Sequence, residues 1–140
     1  MKALLASCTA AIALLSFATL THAQAGCASV EVRNLQTGQG PLMLAAYSDE
    51  RNFGKTVATK MQVAVTAETM QLQVCGLSGN AVALTLYQDL NNNGKLDTNP
   101  FGMPTEPWGS SGKSSPLSAP TWDTAQVPLD GNPIIVKLSK

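Results

Sequence analysis

The sequence predicts an all-β domain, an antiparallel β-sandwich of about seven short strands carrying one long Pro/Asn-rich loop. Three observations lead there. Apolar residues alternate with polar ones in window after window, Gly/Asn/Pro turn signals separate those windows, and no window has convincing helical periodicity.

The chain opens with Met1-Lys2, an apolar run over Ala3–Leu20 and the small-residue pattern Ala23-Gln24-Ala25. That order is the layout of a secretory signal peptide, here residues 1–25, with cleavage after Ala25 or, as second choice, after Ala23. An uncleaved anchor is the competing reading, but so alanine-rich a stretch makes a poor permanent span. A lipid anchor at Cys27 is disfavoured by Gln24, which stands where such boxes take an aliphatic residue. The expected mature domain is 26–140, periplasmic or secreted, with no membrane span.

Export reshapes the inventory. His22 and Cys8 leave with the signal, so Cys27 and Cys75 remain for an oxidising compartment, where a disulfide is the expectation and two buried thiols the alternative. Eight basic and nine acidic residues remain once Lys2 is gone, without a basic run. Nothing in that balance suits nucleic acid or an anionic membrane.

Strands follow in order. Val30 and Val32 alternate with Glu31 and Arg33, and the Gly38/Gly40 stretch turns the chain. Leu42–Tyr47 is a continuous apolar run, short enough for a strand covered on both faces. Met61, Val63 and Val65 alternate, although Val57–Met70 would also tolerate a helix. Met70, Leu72 and Val74 lead to the turn Leu77–Asn80, and Val82, Leu84 and Leu86 line the next strand. Ala125, Val127 and Leu129 make a weak strand that Pro128 assigns to an edge, and Ile134, Val136 and Leu138 close the chain.

Two stretches fall outside that alternation. Residues 98–124 hold five prolines and no strand pattern, with Phe101, Trp108 and Trp122 expected to anchor the loop, helped by Met103 and Leu117; an unstructured Ser110–Ser118 is the alternative. Just before it, Asp89, Asn91, Asn93, Gly94 and Asp97 follow the spacing D-x-N-x-N-G-x-x-D. Alternate oxygen side chains before a Gly match the first half of an EF-hand calcium loop, with Lys95 offering its carbonyl. The closing bidentate Glu is missing: Pro100 stands there, and Glu106 is the substitute within reach of the next loop. Two readings stay open. One is a weak Ca2+ site, and the other a metal-free turn whose Asp89 and Asp97 tie its backbone.

The stretches Asp89–Asp97 and Phe101–Gly109, with Pro120-Thr121-Trp122 and the Ile134–Leu138 strand, resemble the DUF2141 family of exported bacterial proteins of unknown function. The resemblance implies a transthyretin-like or immunoglobulin-like sandwich and supplies no established activity. This sequence departs from the family at Gln88, where a His is frequent, and at Ser110-Ser111-Gly112.

Enzyme chemistry finds little support. Without a histidine after residue 25, a Ser-His-Asp arrangement and a His-ligated zinc are excluded. Ser110–Lys113 spells S-x-x-K, yet Gly112 opposes the helix that such chemistry requires. The expectation is therefore a binding or accessory module of the cell envelope with an envelope-protein or glycan partner. The alternative is a carboxylate hydrolase drawing on Asp89, Asp97, Glu106 or Asp123.

Overall fold

The computed structural model describes residues 26–139 except Ser114 and Pro116, so the expected signal peptide lies outside the described residues. Eight strands form two sheets: β1 (Cys27–Arg33), β2 (Leu42–Tyr47), β3 (Thr59–Val63), β4 (Thr69–Cys75), β5 (Ala81–Gln88), β6 (Trp108–Ser110), β7 (Gln126–Pro128) and β8 (Ile134–Lys137). One helical turn, α1 (Trp122–Ala125), precedes β7. The first sheet runs β4-β1-β8 and the second β3-β2-β5, with β6 and β7 side by side on the free edge of β5. Every pairing is antiparallel except β1 with β8, which is parallel.

Period-two patterning puts the core between the sheets. Val30 and Val32, Leu72 and Val74, and Ile134 and Val136 face Leu42, Leu44 and Ala46 and Val82, Leu84 and Leu86. Cys27 and Cys75 are direct partners across β1 and β4 and are bonded as a disulfide. Met61 and Val63 keep their alternation as β3 and pack on the core, so the helical alternative for Val57–Met70 does not form. Pro128 sits on β7, which among the described residues pairs only with β5, as an edge strand should.

The segment 98–124 departs from the expectation. It contains β6 and the first residues of α1, so the sandwich has eight strands among the described residues. β6 was hidden because its central residue is Gly109, which offers no side chain to an alternation. A Cβ there would come within 2.8 Å of the Lys137 carbonyl oxygen. Ser110 and Ser111 are buried, not loose: the Ser111 amide donates to the Leu84 carbonyl, and its hydroxyl donates to the Ala125 carbonyl while accepting from the Leu84 amide. α1 begins at a reciprocal Thr121/Thr124 capping box, a signal present in the sequence as T-W-D-T.

Candidate functional site

The site grows from the end of β5. Its last residue, Gln88, is fully buried; the side-chain oxygen accepts from the Gln36 amide, and its NH2 donates to the carbonyls of Gln36 and Gly40. Those bonds pin the β1–β2 connection under the next residue, Asp89, whose amide donates to the Pro41 carbonyl at 2.9 Å. Sequence reasoning noted Gln88 only as a departure. The signal for its role is a polar residue at the end of an apolar strand, where a buried amide must find partners.

Asp89 is 1% exposed and lies within the turn it organises. One carboxylate oxygen accepts from the Asn93 amide at 3.0 Å and the other from the Gly94 amide at 2.7 Å. Gly94 has φ +78°, a conformation that favours glycine, which lets the turn tighten around the carboxylate. Asn91 accepts from the Asn93 amide and Asn93 from the Lys95 amide, a pair of Asx turns. Asp97 closes the turn by accepting from the side-chain NH2 groups of Asn91 and Asn93.

Glu106 reaches this turn from the following segment. It is 6% exposed and its two oxygens bridge the loop, accepting from the Leu90 amide at 2.8 Å and the Asp97 amide at 3.0 Å. Asp89 and Glu106 thus satisfy four peptide N–H groups, and among the described residues no buried side-chain polar atom lacks a partner. Nearby Tyr87 feels the charge: its phenol is raised above its ordinary value, first by burial and then by Asp89, Glu106 and Asp97.

The side-chain oxygens that the calcium reading names are already hydrogen-bonded within the loop. Among the described residues no three of His, Cys, Asp and Glu stand close enough to hold a metal ion. Asn91 and Asn93 present their NH2 groups to Asp97, and their oxygens are taken by backbone amides. A calcium ion would have to turn those amides away from Asp97. Lys95, the proposed carbonyl ligand, is exposed, with its amide on the Asn93 oxygen.

Of the expected anchors, Trp108 opens β6 and lines a groove of about 230 Å³ with Leu96, Met103, Pro104, Leu117 and Pro120. Trp122 packs edge-on to Phe53 with ring centroids 6.1 Å apart, and Phe53 in turn packs on Tyr47 at 5.0 Å. Phe101 corrects the expectation, being 90% exposed. Asn99 explains this: its side-chain oxygen accepts from the amides of Phe101 and Met103, making a turn that carries the ring at its outer edge. Leu117, at 80%, is exposed as well.

The family model for an uncharacterized protein conserved in bacteria, DUF2141, matches residues 30–137. The chain belongs to the DUF2141 family. Neither the curated proteins nor the solved structures contain a match to it. The DUF2141 match takes in β1 from Val30 onward, β2 to β8, the Asp89–Asp97 turn and Glu106, so the wired loop lies inside the family region.

Proposed function

We propose that the chain is an exported binding or accessory module of the bacterial cell envelope, acting through the face built by residues 89–109. One observation carries this reading: both oxygens of Asp89 and both of Glu106 are committed to peptide amides. Carboxylates so held stiffen a platform. A hydrolytic pair instead needs two carboxylates flanking an open cleft. The groove over Trp108 has no acidic side chain on its wall, and the recess of about 470 Å³ beside Asn34 has only Glu68.

The groove also bears on the partner. Leu96, Met103, Pro104 and Leu117 around an indole favour an apolar peptide segment of an envelope protein. A glycan would find few side-chain hydroxyls there beyond Thr98 and Ser118. A photo-crosslinking residue in place of Phe101, introduced in the intact envelope, tests this. The expected result is a discrete adduct that Trp108→Ala abolishes. An adduct pattern equal to that of a crosslinker at exposed Gln73, on the other sheet, would refute it.

Calcium enters the same proposal as a weak ligand of the Asp89–Asp97 turn, with Asp89, Asn91, Asn93, Lys95 and Asp97 as its donors. Weakness follows from the hydrogen bonds that the cation must displace and from the small charge of the donor set, on the order of 10⁻⁴–10⁻³ M. Millimolar calcium should then raise the melting temperature over chelator by a few degrees, from roughly 1–2 kcal/mol of linkage. Asp97→Ala should lose the shift. Equal melts with calcium and with chelator would remove calcium from the proposal and leave the module reading standing.

A further inference from the structure

Asn93-Gly94 is the one Asn-Gly dipeptide in the sequence. Asn-Gly is the pair most open to succinimide chemistry, because glycine has no Cβ to keep its backbone nitrogen from the preceding side chain. Both residues are exposed, so water reaches the dipeptide. Exposure alone would mark this turn for chemical ageing.

The hydrogen bonds say otherwise. The nucleophile would be the Gly94 nitrogen, and its N–H donates to the buried Asp89 carboxylate at 2.7 Å. A neighbouring negative charge disfavours loss of that proton. The electrophile would be the Asn93 side-chain carbonyl carbon, whose oxygen is held by the Lys95 amide at 3.0 Å. The leaving group would be the Asn93 NH2, which donates to both Asp97 oxygens at 3.0 Å. Nucleophile, electrophile and leaving group are therefore each tethered to a separate partner.

We propose that Asn93-Gly94 is a latent deamidation site that Asp89 and Asp97 hold shut in the folded chain. When the tethers open, the Gly94 nitrogen loses its proton and attacks the Asn93 side-chain carbonyl carbon. A C–N bond forms, the Asn93 C–NH2 bond breaks, and ammonia departs with a proton from water. Water then opens the succinimide at either carbonyl, leaving aspartate or isoaspartate at position 93. The net change is one amide plus one water to one carboxylic acid plus one ammonia, with no redox partner. It adds a negative charge to a turn that already holds Asp89 and Asp97.

The test is peptide mass mapping after prolonged warm incubation in mildly alkaline buffer containing chelator, so that no cation competes for the turn. Fragmentation of the peptide spanning Met61–Lys95 localises the acid. The native chain should deamidate at Asn93 roughly tenfold or more slowly than the same chain in urea, since reaction requires local opening. Asp97→Ala and Asp89→Asn, each checked for a retained fold by circular dichroism, should move the native rate toward the unfolded one. Native and urea-unfolded chains deamidating at equal rates would overturn the proposal. So would two folded variants that deamidate no faster than the parent. If neither variant folds, the parent comparison decides alone.

Discussion

Gly40 lies so close to Asp89 that a Cβ at position 40 would come within 1.6 Å of the Asp89 carbonyl oxygen. The contact joins the β1–β2 connection to the turn after β5, and the Gln88 side chain clasps the same connection through the Gln36 and Gly40 carbonyls. The loop is thus fixed from below by backbone, where nothing can rotate out of the way.

Gly40→Ala should therefore cost about 2–4 kcal/mol in chemical denaturation, because the obstructing atom belongs to the main chain. Gly38→Ala is the useful contrast. A Cβ there meets nothing within 4 Å, and only its φ of +73° opposes the change. A Gly40→Ala variant as stable as the parent would show that the two segments can separate freely.

Glu106 should behave as a structural clamp. Glu106→Ala leaves the amides of Leu90 and Asp97 without their acceptor and should cost about 2–4 kcal/mol. Glu106→Gln should recover little, since its NH2 would face one of those N–H donors. Full recovery by Gln would mean that only one of the two bonds matters. Denaturant melts of the two variants make the comparison.

Tyr87 supplies an alkaline signature. Its phenol holds its proton above the ordinary value of 10.0, by burial first and then by the charges of Asp89, Glu106 and Asp97. A folded-state value above the unfolded one gives stability that is complete below the unfolded value and lost as pH rises through the folded one. Spectroscopic titration should show a late tyrosinate phase that disappears in Tyr87→Phe, and stability should fall across the same range. A late phase that survives Tyr87→Phe would contradict the assignment.

The Cys27–Cys75 bond closes a segment with a sequence separation of 48. Reduction, or Cys75→Ser with Cys27→Ser, should remove about 3–4 kcal/mol by the chain-entropy account. Denaturation with and without reductant reads the difference directly. Equal midpoints would show that the β1–β4 pairing alone holds that end of the sheet.

What the sequence disclosed and what it hid divide along physical lines. Val30, Val32, Val82, Leu84 and Leu86 were legible because side chains in a strand alternate in a way that any local window reveals. The Asp89–Asp97 turn was legible for the same reason, its hydrogen bonds joining residues at most six apart. Glu106 was seen as a nearby acid but not as a bridge, since its partners are set by how two loop segments fold together. β6 was invisible because Gly109 and Ser110 carry no apolar pattern; its register comes from Thr85, Leu86 and Tyr87 across the sheet. Phe101 was misplaced because an apolar ring suggests burial, while the turn built by Asn99 turns it out to solvent.

Hydrogen exchange at single-amide resolution tests the central claim, that Asp89 and Glu106 are spent on holding the loop. The amides of Leu90, Asn93, Gly94 and Asp97 should exchange roughly a hundredfold or more slowly than in an unstructured peptide, despite lying outside any strand. Glu106→Ala should release Leu90 and Asp97 and leave Asn93 and Gly94 slower than they are in Asp89→Asn. Exchange of all four at unstructured rates in the parent chain would contradict the account.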